Sequence, residues 1–335
     1  MRHVLIGGDG FVGRHLTRAL VAEGESVLVA DLQQTAPDIP AGVAFVRADV
    51  TDPASLDSVP VGPDDVVYNL AARLLVPILP RGQRQDYFWS VNHDGHRNVI
   101  ERMERAGAGK LVYFTTDMVY GHTRTTPKTE DHPVTPLGPY GAAKAASEAL
   151  CREARSRGMS VSIFRPRLII GPGRLGILSK LFRLIDLNLP VPVIGNGRNP
   201  YQFISVYDCV TAAKAAAGHG CPNGEWNLGS LEPPPVERLL GDLIKRAESR
   251  SILLRTPAGA VKATLGALDR LGMPLMDPEQ YLIADETCIL DVSKAERELG
   301  WRPQYRDSDM LIAAFEEYRR GRTAGARVPA REAAR

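Results

Sequence analysis

An α/β fold with a doubly wound parallel sheet is predicted by three observations on this 335-residue chain. Short apolar runs, typical of buried strands, alternate with longer helical stretches as far as about residue 170. A glycine-rich turn joins the first strand to the first helix, and an acidic residue, Asp31, ends the second strand. Such alternation places the strands in one parallel sheet that helices cover on both faces.

Charge and cysteine content narrow the class of protein. With 41 basic and 39 acidic residues, the net charge of +2 gives no reason to expect nucleic acid or an anionic membrane as a partner. The N-terminus lacks a signal-peptide layout, and no apolar run approaches the ~18 residues of a membrane span. Scattered cysteines without a Cys-x-x-Cys pair favour reduced thiols, a cytoplasmic location and no metal site. They are Cys151, Cys209, Cys221 and Cys288.

The first three elements form one unit. A strand over residues 2–6 enters the glycine turn, a helix follows from about Phe11 to Glu23, and a second strand over 27–30 ends at Asp31. This order predicts a Rossmann-type dinucleotide site, in which glycines let a pyrophosphate approach the helix N-terminus. The residues predicted to contact the dinucleotide here are Gly7, Gly10, Phe11, Val12, Gly13 and Asp31.

Asp31 is expected to select the cofactor. A carboxylate at the end of the second strand accepts a hydrogen bond from a ribose 2′-hydroxyl and repels a 2′-phosphate. No arginine follows it immediately in the sequence. We therefore expect NAD rather than NADP.

Later segments continue the alternation. Strands are predicted over 43–46, 64–68, 111–114 and 161–164, and residues 73–90 are expected to form a loop or loose helix over the site. His93 and His96 have a spacing that metal ligands can show, but no third ligand accompanies them. We interpret both as surface histidines.

Tyr140 and Lys144 are candidates for chemistry. Pro139 and the alanines that follow favour a helix, so residues four apart lie on one face. An ammonium beside a phenol lowers its pKa, which makes the pair suited to interconverting a hydroxyl and a carbonyl. At this spacing alone, a solvated helix face remains the alternative.

Motifs in a fixed order extend through nearly the whole chain, to about residue 320. They are Gly7-x-x-Gly10-x-x-Gly13, Asp31, Asp49-Val50, Asn69-Leu70-Ala71-Ala72, Thr115 to Gly121, Tyr140-x-x-x-Lys144, Arg165-Pro166, Gly171-Pro172-Gly173, Phe203 to Asp208, Trp226 to Gly229 and Asp291 to Trp301. Together they resemble the extended short-chain dehydrogenase/reductases, in the branch of NAD-dependent epimerases and dehydratases.

The resemblance implies an architecture. A Rossmann-type NAD-binding domain would cover residues 1–170, with 201–230 returning to it. A smaller C-terminal substrate-binding α/β subdomain would comprise 171–200 and 231–320, and the protein would be a homodimer. The composition of residues 321–335 predicts a disordered tail.

The resemblance also implies roles at the site. Tyr140 would be the general acid/base, Lys144 would lower its pKa and hold the nicotinamide ribose, and Thr116 would hydrogen-bond the reacting oxygen. Further NAD contacts would come from Asp49, Val50, Leu70, Ala71, Ala72 and Pro166.

The substrate is expected to be a small molecule, with a nucleotide sugar as the leading prediction. Related 4,6-dehydratases have a glutamate where this chain has Met118, and a thioether cannot transfer a proton. An epimerase or 4-keto reductase is therefore favoured over a dehydratase. Candidate substrate contacts are Asp117, Met118, Arg167, Arg174, Arg198 and Tyr201.

Two alternatives remain open. Members of the resembled family that act on nucleotide sugars often have an Arg–Asp pair, whose Arg serves the diphosphate, at the position of Tyr201-Gln202 in this chain. Residues 251–285 are rich in apolar side chains. Both features favour an oxidoreductase resembling 3β-hydroxysteroid dehydrogenases, acting on a hydrophobic alcohol or ketone. An inactive NAD-binding scaffold is the second alternative, which intact Thr116, Tyr140 and Lys144 disfavour.

Overall fold

The computed structural model describes residues 1–35, 39–173, 176 and 178–325, with side chains as far as 322. Eleven strands lie in these ranges. They are β1 (Arg2–Ile6), β2 (Ser26–Asp31), β3 (Ala44–Arg47), β4 (Val66–Asn69), β5 (Lys110–Phe114), β6 (Ser160–Pro166), β7 (Leu168–Ile170), β8 (Val191–Ile194), β9 (Phe203–Ser205), β10 (Gly224–Leu228) and β11 (Leu253–Thr256).

Twelve α-helices lie in the same ranges, and a π-helical turn, Ser90–Gly95, joins the third to the fourth. They are α1 (Phe11–Ala22), α2 (Pro53–Asp57), α3 (Arg84–Trp89), α4 (His96–Arg105), α5 (Pro139–Ser156), α6 (Leu178–Asp186), α7 (Val206–Gly218), α8 (Val236–Arg246), α9 (Ala258–Arg270), α10 (Pro278–Tyr281), α11 (Ser293–Leu299) and α12 (Asp307–Gly325).

The central sheet has seven parallel strands in the order β10-β6-β5-β4-β1-β2-β3. From β1 the chain builds one side with β2 and β3 and the other with β4, β5 and β6. The order therefore reverses at β1, and the carboxyl ends of β1 and β4 flank the crevice where such sheets bind ligands. The predicted doubly wound parallel sheet is confirmed.

Side chains alternate between two hydrophobic cores along each strand, since both faces of the sheet are buried. In β1, Leu5 joins the core formed with α1, α7 and α11, whereas Val4 and Ile6 join the core formed with α2, α4 and α5. In the sequence, these strands are therefore continuous apolar runs rather than alternating apolar and polar residues. The six strands predicted in the first 170 residues match β1 to β6 within two residues at each end.

A third core belongs to the C-terminal part, where Phe182 of α6, Leu243 of α8 and Phe315 of α12 pack together. Two small parallel sheets accompany it, β7 with β9 and β8 with β11. Between residues 201 and 230, α7 packs on α1 and β10 joins the central sheet, while β9 stays outside that sheet.

The disordered tail was expected to start at residue 321, but α12 continues to Gly325. Arg322 donates a hydrogen bond of 2.5 Å to Asp186 of α6, and Arg319 lies 3.5 Å from the same carboxylate. These ion pairs tie the end of α12 to α6. The remainder of the predicted tail, residues 326–335, lies outside the described residues. No helix in the described ranges is long and apolar enough to cross a membrane.

A buried carboxylate fastens α5 to the sheet. Glu148 accepts hydrogen bonds from the guanidinium of Arg165 in β6, at 2.6 and 2.9 Å, and from the hydroxyl of Thr115, at 2.9 Å. Glu148 and Arg165 are both buried. Removing one member of such a pair leaves the other charged and unpaired in a medium of low polarity.

We expect Glu148→Gln to lower the free energy of unfolding by about 3–5 kcal/mol, since Arg165 loses its counter-charge. Glu153→Gln, at an exposed position of the same helix, is the matched control and should change stability by less than about 0.5 kcal/mol. Urea denaturation measures both. Equal stability of the two variants would contradict a structural role for the pair.

Candidate active site

A cavity of about 460 Å³ opens at the carboxyl edge of the central sheet. Its walls come from the glycine turn, the ends of β4, β5 and β6, the start of α5 and the segment 276–284. Predicted cofactor contacts among its lining residues are Gly7, Gly10, Phe11, Val12, Gly13, Leu70, Ala72, Tyr140, Lys144 and Pro166.

The glycine turn has room for backbone alone. Gly7 has φ +77°, and a Cβ there would lie 2.4 Å from the amide nitrogen of Ala71. A Cβ on Gly13 would lie 2.5 Å from the carbonyl oxygen of Gly8. Gly10, the N-cap of α1, has no side chain to cap the helix. This cradle fits a dinucleotide pyrophosphate, whose oxygens can accept from N–H groups of the first turn.

Asp31 lies at the edge expected for the adenosine ribose. Its carboxylate accepts hydrogen bonds from the backbone N–H groups of Asp9 (2.9 Å) and Leu32 (2.7 Å), and burial raises its pKa. A second carboxylate, that of Asp9, accepts hydrogen bonds from the guanidinium of Arg14 and the N–H of Thr35. Because Arg14 pairs with Asp9, the carboxylate of Asp31 is the group here that suits a ribose hydroxyl and opposes a 2′-phosphate. Asp9 lies within the glycine motif, but its hydrogen bond with Thr35, 26 residues later, has no local sequence signal.

The other predicted cofactor contacts lie outside the lining of this cavity. Asp49 follows β3 and accepts hydrogen bonds from the N–H and hydroxyl of Thr51. Val50 is buried, and its side chain fills the space beside Gly95. Ala71 packs against Gly7 behind the turn.

Helix α5 presents Tyr140 and Lys144 to the cavity, and both side chains are buried, at 6% and 2% exposure. The alternative of a solvated helix face is therefore wrong. The amine of Lys144 donates to the carbonyl of Phe114 (3.0 Å) and the hydroxyl of Tyr113 (3.3 Å). Burial lowers the pKa of Lys144 to about 7.

Thr116 caps a 3₁₀ turn, Asp117–Tyr120, by accepting a hydrogen bond of 3.2 Å from the N–H of Met118. It lines the same cavity as Tyr140 and Lys144. The neighbouring hydroxyl of Thr115 donates to Glu148 and to the carbonyl of Phe164. Of the two threonines, Thr116 is thus the one whose hydroxyl is not engaged with the sheet and α5.

Among the predicted substrate contacts, Asp117, Met118, Arg167 and Tyr201 line the cavity. Arg167 is buried, forms a 2.6 Å ion pair with Asp117, and lies 4.9 Å above the ring of Tyr201. Arg198 is exposed and does not line this cavity. Arg174 lies outside the described residues.

Much of the substrate side of the cavity is apolar. Of the segment 73–90, residues 74–76 line the cavity, and the segment 276–284 contributes four more lining residues. The apolar lining residues outside the cofactor motifs include Leu74, Leu75, Val76, Leu168, Ile169, Ile170, Leu178, Met276 and Ile283.

One buried acid at the site had no sequence signal. Glu279 accepts hydrogen bonds from the backbone N–H groups of Tyr140 and Gly141, each 2.8 Å long. The run Asp277-Pro278-Glu279 forms the start of α10, with Asp277 as its N-cap. The contact with α5 arises from tertiary packing.

The interpretation of His93 and His96 as surface residues is wrong. Both are buried, and His96 stacks on Tyr113 with ring centroids 3.7 Å apart. Its two ring nitrogens contact Asn69 (2.7 Å) and Cys151 (3.1 Å), and burial holds its pKa well below the usual value. In the described part of the chain, no group of three histidine, cysteine or acidic residues could hold a metal ion.

Comparison with known proteins identifies the family. The model of the NAD dependent epimerase/dehydratase family matches residues 3–229, more than half of the chain. The chain belongs to this family. Its resemblance to the extended short-chain dehydrogenase/reductases is confirmed, it is an enzyme, and NAD is its cofactor.

Similar proteins align with nearly the whole of this chain. Uncharacterized protein y4nG of Sinorhizobium fredii is 32% identical over 95% of this chain and 79% of that protein. The 2-alkyl-3-oxoalkanoate reductase of Stenotrophomonas maltophilia is 27% identical over 91% of this chain and 95% of that protein. A crystal structure of UDP-glucose 4-epimerase shares the fold, with a TM-score of 0.77, 21% identity, and coverage of 96% and 98% of the two chains.

Replacing Asp31 tests the cofactor edge. We expect Asp31→Asn to weaken NADH binding about 10-fold, because a charged acceptor for the ribose is lost. The ratio of the NADPH dissociation constant to the NADH dissociation constant should fall by at least about 10-fold as well. Calorimetric titration with each nucleotide measures this. An unchanged ratio of the two dissociation constants would contradict the assignment.

Replacing Lys144 tests its burial. Because its pKa of about 7 in the folded protein lies below that of an unfolded lysine, the unfolded chain binds more protons between pH 7 and 10. Lys144→Met should therefore stabilise the cofactor-free protein by about 2–5 kcal/mol at neutral pH, and the gain should shrink as pH rises towards 10. Urea denaturation across this range measures it, and a variant less stable than wild type at neutral pH would contradict the burial cost.

Proposed function

We propose that the protein interconverts a secondary hydroxyl and a carbonyl on a small molecule, with Tyr140 as general acid/base. One observation supports this most strongly: Tyr140, Lys144 and Thr116 line the same cavity as the glycine turn. The proton-transfer groups and the cofactor cradle thus face one space, as a coupled transfer of hydride and proton requires.

In this proposal, bound NAD supplies or accepts the hydride. During reduction, the phenol of Tyr140 donates a proton to the oxygen that gains negative charge, and the hydroxyl of Thr116 stabilises the same oxygen. The ammonium form of Lys144 then stabilises the phenolate. Oxidation uses the same groups in reverse. The ring of Phe88, 5.4 Å from that of Tyr140, restricts movement of the phenol.

For the substrate, the cavity favours a hydrophobic ketone or alcohol. The lining cations in the described structure are Lys144 and Arg167, and Arg167 is already neutralised by Asp117. The side-chain amide of Gln202 donates to the carbonyl of Ser230 and accepts from the N–H of Leu290, so both of its ends are hydrogen-bonded within the protein. Among the described lining residues, Lys144 alone would therefore be left to meet a diphosphate, whereas the apolar walls suit alkyl groups. The sequence relationship to a 2-alkyl-3-oxoalkanoate reductase agrees with this class.

A nucleotide sugar is the second candidate, favoured by the structural likeness to UDP-glucose 4-epimerase. The protein would then be an epimerase or a 4-keto reductase. Met118, at the cavity wall, supplies no acid for a dehydration.

Tyr140→Phe tests the proposed chemistry. We expect at least a 100-fold loss of kcat, since the proton donor is removed, with NADH binding unchanged. The matched control is Tyr305→Phe, at an exposed position, which should keep wild-type turnover. A Tyr140→Phe variant with wild-type kcat would remove Tyr140 from the mechanism.

The substrate for that assay comes from a thermal-shift panel of NADH-loaded protein. It includes 3-oxo acids with long alkyl chains, a steroid ketone, UDP- and dTDP-sugars, and UDP and dTDP alone. Stabilisation by the alkyl ketones supports the first substrate class. Stabilisation by the nucleotides and their sugars would contradict it and support the second.

A further inference from the structure

Helix α5 starts without a cap of its own. Its N-cap, Gly138, has no side chain, and Pro139 has no backbone N–H. The first N–H groups that need an acceptor are therefore those of Tyr140 and Gly141. Glu279, 139 residues along the chain from Tyr140, accepts from both: Oε1 from Tyr140 and Oε2 from Gly141, each at 2.8 Å.

The fit around this carboxylate is close. Glu279 is 1% exposed. A Cβ on Gly138 would lie 2.7 Å from Oε1, and a Cβ on Gly141 would lie 2.8 Å from Oε2 and 2.7 Å from the carbonyl of Met118. Two glycines thus let the carboxylate reach the helix end. Its negative charge also suits the positive end of the helix dipole.

Glu279 is itself held in place. Asp277 caps α10 by accepting from the N–H of Glu279 at 3.0 Å, and lies 3.4 Å from the guanidinium of Arg84. Arg84 also binds Asp269. The same segment supplies Met276, Gln280, Ile283 and Ala284 to the cavity wall.

We propose that Glu279 is a positioning residue for Tyr140, which makes proton transfer depend on the docking of the cavity wall 276–284 against α5. This inference rests on the acid/base role proposed for Tyr140. A carboxylate that holds the N–H of Tyr140 fixes the Cα from which the phenol extends. Loss of this cap frays the first turn of α5, while the rest of the helix stays fastened through Glu148.

Amide hydrogen exchange tests the cap without any substrate. Burial raises the pKa of Glu279 to about 7, although the N–H groups of Gly141 and Tyr140 oppose this, so exchange is measured above that pH. In Glu279→Ala and Glu279→Gln, we expect the amides of Tyr140 and Gly141 to exchange about 10- to 100-fold faster, while amides later in α5 keep wild-type rates.

Glu286→Gln is the matched control, because Glu286 also accepts a backbone hydrogen bond, from Thr123 (2.9 Å) in the loop before α5, and not from the first turn of α5. It should leave exchange at Tyr140 and Gly141 unchanged. Unchanged exchange in both Glu279 variants would overturn the cap, whatever the activity of the protein.

Turnover tests the positioning. With the substrate found by the panel, kcat of Glu279→Ala should fall about 10- to 100-fold, because small displacements of a reacting group are costly. KM and NADH affinity should stay near wild type. Formate, which can enter the vacated space, should restore part of kcat in Glu279→Ala and none in Tyr140→Phe.

The outcomes separate the two claims. Faster amide exchange with wild-type kcat would show that the cap is structural and overturn the positioning role. Faster exchange in the Glu279 variants, together with an active Tyr140→Phe, would overturn the role of Tyr140 while the cap itself stands.

Discussion

The burial of Lys144 is the constraint on which the site depends. An amine enclosed beneath α5 has the carbonyl of Phe114 and the hydroxyl of Tyr113 as partners, and burial pulls its pKa down to about 7. Such a group is costly for a fold to keep, because a buried cation loses its hydration. In the mechanism that we propose, the cost is accepted because the amine acts beside the phenol of Tyr140 and the cofactor.

Helix α5 must therefore lie closely against the sheet, and two carboxylates hold it there. Glu148, in the second half of α5, joins the helix to β6 through Arg165. Glu279 holds its first turn from the C-terminal part of the chain. Tyr140 is part of the attachment at Glu279, and Lys144 lies between the two. One helix thus contacts both the nucleotide-binding sheet and the cavity wall 276–284.

Local signals predicted most of the fold and the cofactor side of the site. The glycine turn, Asp31 and the Tyr140–Lys144 spacing each depend on neighbours within one or two turns, so the sequence displays them directly. The contacts of Glu279 with Tyr140 and of Arg167 with Asp117 join residues 139 and 50 positions apart. They depend on how the two parts of the chain pack, which no local pattern contains. The burial of His96 escaped prediction for the same reason.

A crystal structure of the protein with NAD and a non-reacting ketone tests the central claim most directly. The account predicts that the ketone oxygen lies about 2.6–3.2 Å from both the Tyr140 hydroxyl and the Thr116 hydroxyl, with the nicotinamide ring beside the carbonyl carbon. A ketone oxygen bound instead at Arg167 and Asp117, away from Tyr140, would contradict it.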